Sequence, residues 1–541
     1  MSYGTKFREP VSVPPEKIIE SLDECTANFA TRMARKHGLS CLEFQDWKDE
    51  VSRIFTNRLN FLSSSPNNFT PYNSILQRDD VKSYLDSLSS SFIICSVDKA
   101  SNNYVFVCKK FYLLTLLNEL GYDLTSLECR GNSTYHPVNS VEDDIIQEHV
   151  NFIKDNFNIR VSEDNLCLPR IFWIPKLHKN PYKSRFIAGA SKCTTKQISV
   201  AVNKACKVLK EYFSKYCSSV YNNTGINCDW SINSSKQFLE RLPRLEIFNM
   251  QVYDFTTLYT NLDLQVVQSL LFELIDLLFS NTNKFICVSL YKNNNFFSKK
   301  EYNGYICFSA DKLKTAITFI LFNTFVCFGD QILRQTKGIP MGGNSSSQFA
   351  DLSLGKCEFN YMTRLIKEKK FSLAKLLSKN CRYVDDLNTM NYLHFSNLIR
   401  SIYPPDLLME RSGDDNKSVN YLDINISMNN SGHVATKLYN KLDDFNFPVV
   451  MYTFPNSNIS SSVGYNVFYG QVLRYSSIIS DLNSFMCSTN TLYRTLLSRC
   501  YNDRLLKSKF RKLLKDRPSI LYKYSILDVS DIFDITFNVD R

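Results

Sequence analysis

The stretch CRYVDDLNTM, residues 381–390, sets two adjacent carboxylates, Asp385 and Asp386, behind an aromatic and a β-branched residue. This pattern predicts a tight hairpin that carries the acid pair at its tip. Two exposed acids held side by side repel each other unless a hard cation lies between them, and Mg²⁺ prefers carboxylate oxygens together with substrate phosphates. Because Asp favours turns, an Asp-Asp turn alone is more often a solvated loop. The interpretation therefore depends on what else the chain contains.

Two further segments give the acid pair a context. Asp254 lies in QVYDFTTLYTNLD, residues 251–263, near the end of a predicted apolar strand. A glycine-rich segment, QTKGIPMGGNSSS, occupies residues 335–347, between Asp254 and the acid pair. This order of motifs is typical of the palm of a polynucleotide polymerase. Two metal ions ~4 Å apart at such a site bridge the attacking and leaving oxygens of an in-line phosphoryl transfer.

Tyr259 follows Asp254 by five residues, at a predicted turn. An aromatic ring there would form the floor of a sugar pocket and leave no room for a 2′-hydroxyl. Exclusion of this kind favours deoxynucleotides by rejecting the alternative substrate. Taken alone, Tyr259 reads equally well as an ordinary half-buried aromatic residue.

Hydrophobic periodicity predicts the other elements only coarsely. Helices are expected at 15–36 and 42–62, near 111–120 and 141–156, at 263–279 with Asp263 as its cap, and at 346–369. A basic hairpin is expected around Asn180-Pro181, and a hairpin insertion at 280–310. The role of the first ninety residues cannot be read from these patterns.

The sequence resembles the reverse transcriptases, and among them the Penelope-like elements, whose polymerase is related to telomerase. The match spans roughly residues 92–515. Six segments carry it: VDKASNNYVFVCKKFY (97–112), IFWIPKLHKNPYKSRFI (171–187), VYDFTTLYTNLD (252–263), RQTKGIPMGGNSSS (334–347), RYVDDL (382–387) and VNYLDINI (419–426).

The resemblance implies an α+β, right-hand polymerase with fingers, a palm made of an antiparallel sheet plus helices, and a helical thumb. The expected divisions are an N-terminal helical region at 1–90, an extension and fingers at 91–245, the palm at 246–425, and the thumb with the C-terminal region at 426–541. The implied activity is that of an RNA-directed DNA polymerase of a retroelement. Its expected partners are an RNA template, a DNA primer and dNTPs, and its cofactor is two Mg²⁺ ions, with Mn²⁺ as an alternative.

The resemblance also assigns roles within the predicted site. Asp254 and Asp385 are expected to hold the metal ions, with Asp386 in support. The remaining assignments are triphosphate binding by Lys176 and Arg185, sugar selection by Tyr259, and contact with the templating base pair by Gln335, Gly338 and Gly342. Lys417 is expected to donate a proton to the leaving pyrophosphate, on the basis of its distance past the acidic hairpin alone.

The chain departs from the family pattern in three places. Ala100-Ser101 replaces the usual Gly after the Asp-Lys pair, which puts the backbone role of that block in doubt. The prolines that commonly follow the Met-Gly of the glycine-rich segment are lost, which predicts a looser loop. Gly464-Tyr465 and Tyr469-Gly470 lie too close together to be the paired elements of a GIY-YIG endonuclease, and we interpret them as strand aromatics.

Residues 484–516 combine helical spacing of apolar residues with many basic ones. A thumb that follows a primer–template backbone needs such a face, because phosphate contacts provide sequence-independent binding. A solvated surface or a nuclear import signal would give the same pattern. The residues expected to bind nucleic acid are Arg494, Arg499, Arg504, Lys507 and Arg511.

Composition agrees with this interpretation without deciding it. The 541 residues include 64 basic and 53 acidic ones, for a formal charge of +11, the sign expected for a phosphate-bearing partner. The 17 cysteines contain no C-x-x-C pair, which argues against both a zinc knuckle and a disulfide framework. The apolar run at 316–328 is broken by Asn323 and is shorter than the ~20 residues that span a bilayer. We expect an intracellular protein, located in the nucleus, without a membrane partner; the oligomeric state stays open.

Two other functions remain compatible with the sequence. An RNA-directed RNA polymerase would share the metal site but must admit a 2′-hydroxyl, against which Tyr259 argues. A non-catalytic nucleic-acid-binding protein derived from a retroelement would not need intact carboxylates.

Overall fold

The computed structural model describes residue 7 and the ranges 15–37, 44–63, 78–242, 247–290, 294–413, 415–428, 433–458 and 460–525. Its helices are α1 (Pro15–His37), α2 (Gln45–Ser63), α3 (Asp79–Ser91), α4 (Lys109–Glu119), α5 (Glu142–Phe157), α6 (Lys196–Thr224), α7 (Ser235–Arg241), α8 (Leu258–Asn261), α9 (Leu264–Leu278), α10 (Ala310–Phe322), α11 (Ser346–Lys367), α12 (Phe371–Leu377), α13 (Ile399–Ile402), α14 (Ser461–Ile478), α15 (Leu482–Leu497), α16 (Asp503–Asp516) and α17 (Ser519–Lys523).

Within the described ranges, the strands form six small sheets rather than one large one. They are β1 (Phe92–Val97), β2 (Ala100–Cys108), β3 (Tyr135–Val138), β4 (Ile171–Lys176), β5 (Lys183–Ala188), β6 (Met250–Thr256), β7 (Phe285–Val288), β8 (Phe296–Ser298), β9 (Ile306–Phe308), β10 (Phe325–Phe328), β11 (Gln331–Gln335), β12 (Cys381–Tyr383), β13 (Asp386–Met390), β14 (Leu408–Arg411), β15 (Ser418–Tyr421), β16 (Ile424–Met428) and β17 (Val434–Leu438).

The central sheet has the strand order β12-β13-β6-β14, and its neighbouring strands pair antiparallel. Its helical layer contains α9, whose apolar stripe is buried as predicted, with Val267, Leu271 and Leu274 fully enclosed. Asp263 caps α9, because its carboxylate accepts the backbone N–H groups of the two residues after Leu264. The sheet and its helices share one hydrophobic core, which fixes the sheet edge where β6 and β13 carry their acids.

Two hairpins lie side by side at one end of the molecule. β1 pairs with β2, β4 pairs with β5, and the backbone N–H of Asp98 donates to the carbonyl of Pro175 at 3.0 Å, so the hairpins meet near their tips. Beneath them, the Tyr112 ring of α4 stacks on Trp173 of β4 with centroids 4.7 Å apart. The hairpin β4–β5, predicted from its turn and charges, is therefore anchored by an aromatic core.

The last part of the described chain packs as a helical cluster on a second sheet, β15-β16-β17. Phe468, Phe485 and Phe510, from α14, α15 and α16, are fully buried there. The prediction that Gly464-Tyr465 belongs to a strand is wrong, since both lie in α14. A Cβ at Gly464 would lie 2.1 Å from the hydroxyl oxygen of Tyr501, so the glycine admits this ring between the helices.

Two remaining predictions concern short segments. The insertion after α9 is a three-stranded sheet, β8-β7-β9, rather than a simple hairpin. The apolar run at 316–328 is divided between α10 and β10, with Asn323 at the C-terminal cap of the helix. Among the helices that the structure describes, none has the length and apolarity needed to cross a membrane.

Candidate active site

Strand pairing brings the predicted acids together at one edge of the central sheet. Asp254 of β6 stands directly opposite Asp386 of β13 in the antiparallel register. Asp385 lies in the turn between β12 and β13, and its carbonyl accepts the backbone N–H of Phe255 at 3.3 Å. Asp254 therefore shares one site with an acid pair that follows it by more than 130 residues in the sequence.

Burial and mutual repulsion both act on these carboxylates. Burial raises the pKa of Asp254, and the neighbouring Asp385 raises it further, while Lys179, Lys99 and Lys441 oppose the rise. Burial also raises the pKa of Asp386 to about 6, against the effect of Lys441. A cation bound beside these carboxylates would stabilise their charged form.

The donor set fits a hard divalent cation that is shared with substrate. Asp254 and Asp385 offer only carboxylate oxygens, and the first of these is partly desolvated. Across the described ranges, no group of three His, Cys, Asp or Glu side chains is arranged to hold a metal by itself. Mg²⁺ in phosphoryl-transfer sites is commonly bound by one or two carboxylates plus water and substrate phosphates. Two carboxylates without a group of three protein ligands in the described ranges therefore agree with such a site.

The acidic turn has a strained backbone. Val384 has φ +52°, in the left-handed region that β-branched residues rarely occupy. Its carbonyl accepts a hydrogen bond of 2.9 Å from Nη1 of Arg382, which lies two residues earlier on β12. Strain of this type persists only where surrounding contacts hold it, and here Arg382 supplies one such contact.

Arg382 is fully buried and belongs to an ion network that sequence reasoning missed. Its guanidinium donates to Glu358 through Nε at 2.5 Å and to Asp351 through Nη1 at 2.7 Å, both on α11. The Tyr403 hydroxyl donates to Glu358 at 2.7 Å, and Lys210 lies 2.6 Å from Asp351. Burial favours a higher pKa for Asp351, but Arg382 and Lys210 together hold that pKa below its usual value.

A signal for this network was present in the sequence. Asp351 and Glu358 stand seven residues apart on α11, where both are buried among apolar and small residues. Residues seven apart share a face of a helix, and buried acids need a partner of opposite charge. The partner itself, Arg382, could not be identified without the tertiary fold.

Cations from the two adjacent hairpins form a second wall of the site, close enough to Asp254 that Lys179 and Lys99 act on its pKa. Nη1 of Arg185 lies 3.1 Å from Oδ1 of Asp98, an acid that is only 5% exposed. Burial lowers the pKa of Lys176, and so does Arg185. Burial likewise lowers the pKa of Lys99, followed by repulsion from Lys441. An anion bound among these groups would relieve both effects, as expected for a phosphate site.

The Asp-Lys block forms its turn without the glycine that the sequence resemblance leads us to expect. Lys99 itself adopts φ +62° at the β1–β2 turn, and Ala100 follows as a buried residue of β2. Asp98 is thereby turned toward Arg185 and orients its guanidinium. The departure at Ala100-Ser101 changes the residue that forms the turn but leaves the ion pair in place.

The glycine-rich segment fills the space between the first acid motif and the basic hairpin. A Cβ at Gly338 would lie 2.6 Å from the carbonyl oxygen of Tyr259, and one at Gly342 would lie 2.2 Å from that of Ala188. The loop is also tied down, since the Ser346 hydroxyl donates to the Pro340 carbonyl at 2.8 Å. The loosening expected from the lost prolines stays a prediction.

Tyr259 and Gln335 have different surroundings. Tyr259 is half-buried beside the glycine-rich segment, and its pKa is raised to about 12 by burial and then by Asp385, which places it on the acid side of the site. Gln335 is 3% exposed, and its amide donates to the Lys337 carbonyl at 3.0 Å. Gln335 therefore supports the loop from inside, and its contact with a base pair stays a prediction.

The expected proton donor, Lys417, lies at the wrong end of β6. The carbonyl of its neighbour Asn416 accepts the N–H of Met250 at 2.9 Å. Met250 is four residues before Asp254, or about 13 Å along the strand. Lys441, by contrast, has its Nζ 4.0 Å from Oδ2 of Asp386. Sequence distance from the acidic hairpin misled the assignment, because the chain returns to the site only after β17.

The basic residues of the helical cluster divide into two groups. Arg494, Arg504 and Arg511 are exposed, in keeping with a surface that meets phosphates. Arg499 instead donates to the carbonyls of Tyr452 and Val449, and burial lowers its pKa. Lys507 forms a 3.1 Å ion pair with Asp503. Arg499 and Lys507 therefore make contacts within the protein. Basic composition alone could not distinguish these two residues from the three exposed arginines.

Comparison with known proteins finds no protein-family model that matches this chain and no curated protein that does. Telomerase from Candida albicans in complex with the TWJ fragment of telomeric RNA has a similar structure, with 11% identity, a TM-score of 0.54, and coverage of 84% of this chain and 71% of that chain.

Two other solved structures are more distant. Apo telomerase from Candida tropicalis has 11% identity and a TM-score of 0.41 over 97% of this chain and 83% of that chain. The RNA-dependent RNA polymerase of a human picorbirnavirus has 10% identity and a TM-score of 0.40 over 100% of this chain and 92% of that chain. The Candida albicans likeness, together with the acidic edge of the central sheet, defines this protein as a right-hand polymerase fold. β6, β12, β13 and β14 form its palm sheet.

The ion network generates a stability prediction. Glu358→Gln should lower the free energy of unfolding by about 3 kcal/mol, because it leaves the buried Arg382 charge only partly compensated. The measurement is the urea-denaturation midpoint of the full chain. Glu211→Gln, which breaks the exposed pair with Lys215, is the matched control and should leave the midpoint unchanged. Similar small shifts for both variants would contradict the network's role.

Proposed function

We propose that this protein is an RNA-directed DNA polymerase that extends the 3′-hydroxyl of a primer with deoxynucleoside triphosphates. The observation that supports it most is the pairing of Asp254 with Asp386 beside Asp385, on the palm sheet of a right-hand fold and near the cations of the hairpins. An RNA template is consistent with the telomeric RNA present in the Candida albicans telomerase structure.

Asp254 and Asp385 would hold two Mg²⁺ ions, with Asp386 behind them; when bound, the metal neutralises charge on the attacking and leaving oxygens. Arg185 is oriented by Asp98 to bind the triphosphate, and a planar guanidinium suits two phosphate oxygens at once. Lys176 adds a second cation on the same hairpin. Catalysis on this scheme is positioning plus charge neutralisation.

We assign proton donation to the leaving pyrophosphate to Lys441 rather than Lys417. Lys441 lies beside Asp386, and its charge lowers the pKa of Lys99, so it belongs to the cations of the site. Tyr259 then controls the sugar, since it lies next to both Asp385 and the glycine-rich segment. The same proposal includes an origin in a Penelope-like retroelement and a location in the nucleus. Both rest on the sequence alone.

The metal assignment predicts a separation of catalysis from binding. Asp254→Asn or Asp385→Asn removes a carboxylate charge but keeps the side-chain shape, so primer extension in Mg²⁺ should fall by more than about tenfold. Binding of an RNA–DNA hybrid, measured by fluorescence anisotropy, should persist. Extension within tenfold of the unaltered protein would contradict the assignment. If the unaltered protein and the variants all bind the hybrid but none extends the primer, this result would favour the non-catalytic alternative.

The sugar assignment predicts a change in substrate preference. Tyr259→Ala should open space for a 2′-hydroxyl and raise the use of ribonucleotides relative to deoxynucleotides in single-nucleotide addition. An unchanged ratio in a variant that still polymerises would exclude Tyr259 as the selecting residue. Efficient ribonucleotide addition by the unaltered protein would instead identify an RNA polymerase.

The two lysines give a matched pair of variants. Lys441→Ala should lower kcat by about 10² with little change in KM for dNTP, the size expected for loss of a proton donor. Lys417→Ala, at the far end of β6, should retain kcat within about twofold. Steady-state kinetics with a saturating hybrid measures both. Equal losses in the two variants would show that Lys441 has no special place in the reaction.

A further inference from the structure

The small sheet β8-β7-β9 places two cysteines opposite each other. Cys287 of β7 and Cys307 of β9 are paired in the antiparallel register, and their Sγ atoms are 3.1 Å apart as free thiols. Residues directly opposite in such a pair have Cα atoms about 4.5–5.5 Å apart, which lies inside the range that disulfides span. The sulfurs need to approach by only about 1 Å to bond.

The two thiols differ in access to solvent. Cys287 is fully buried, and burial raises its pKa to about 12. Cys307 is half-buried, and its sulfur accepts the backbone N–H of Tyr302 at 3.3 Å. A reagent from solvent therefore meets Cys307 first, with Cys287 directly behind it.

We propose that Cys287 and Cys307 form a reversible dithiol–disulfide pair whose oxidant is a low-molecular-weight disulfide such as oxidised glutathione. The Cys307 thiolate attacks one sulfur of that disulfide, whose S–S bond breaks and releases one small thiol. The Cys287 sulfur then loses its proton and attacks Cys307 Sγ, which releases the second small thiol. Two protein thiols are oxidised to one disulfide while one small disulfide is reduced to two thiols.

The position of the pair determines what the bond does. β9 ends at Phe308, immediately before Ser309, whose hydroxyl caps α10 by accepting the backbone N–H of Lys312. A bond from β7 to β9 would close the intervening loop and fix the start of this palm helix. The inference does not depend on the proposed polymerase function, because it concerns thiol chemistry alone.

The first test maps the bond directly. The full chain is incubated with oxidised glutathione, digested without reduction and analysed by mass spectrometry. We expect peptides joined through Cys287 and Cys307, two hydrogens lighter than the reduced pair and separated by dithiothreitol. Cys500→Ser, which removes an exposed cysteine elsewhere, should still give this link. Glutathione adducts at exposed cysteines without the 287–307 link would overturn the proposal.

The second test traps the order of attack. Cys287→Ser should accumulate a stable glutathione adduct at Cys307, whereas Cys307→Ser should leave Cys287 unmodified in the folded protein. Oxidised unaltered protein should also melt about 3 °C higher than reduced protein, a difference that neither serine variant shows. Equal modification of Cys287 in the Cys307→Ser variant, or a melting shift that survives both substitutions, would refute the stated mechanism.

Discussion

The buried guanidinium of Arg382 is the interaction on which the active site depends. It lies between two carboxylates of α11, Asp351 and Glu358, and also bonds to the backbone of Val384 in the acidic turn. A buried charge is tolerated only where its partners and hydrogen bonds are complete, so the hairpin and the helix must dock in one arrangement. The strained turn that presents Asp385 is thereby held without any ligand, as preorganised catalysis requires.

The electrostatics of the site follow from a second constraint, the concentration of like charges on two neighbouring walls, the acids of the palm sheet and the cations of the hairpins. On the palm side, burial and Asp385 raise the pKa of Asp254. On the hairpin side, burial and neighbouring cations lower the pKa values of Lys176 and Lys99. Each wall is destabilised by its own charges and would be relieved by a ligand of opposite sign, cations for one and phosphates for the other. A metal–triphosphate complex supplies both, which is the physical reason for preferring nucleotidyl transfer over simple nucleic-acid binding.

Sequence reasoning succeeded where a local pattern determines structure. The acidic hairpin, the capped helix after Asp263 and the basic hairpin all follow from turn chemistry and periodicity, and the structure confirms them. It failed where only tertiary contacts decide. Gly464 is predicted as a strand residue, yet it lies in a helix, where the absence of a side chain leaves room for Tyr501. Arg499 reads as a phosphate ligand but bonds to backbone carbonyls, and a helical pattern of basic residues contains nothing that separates the two roles.

The position of Lys441, which we propose as the proton donor, could not be found from a local sequence pattern. The segment that carries it leaves β17 and reaches the β1–β2 hairpin, where Phe445 is buried against Val97 and Ala100. Asn103 then binds it through the Pro448 carbonyl and the Val450 N–H, at 3.0 and 2.9 Å. The helical cluster holds the same segment through Arg499. No motif encodes this path; the lysine reaches Asp386 because the β1–β2 hairpin and the helical cluster both position the segment that carries it. The chemistry of the palm is therefore coupled to parts of the chain that contain none of its carboxylates.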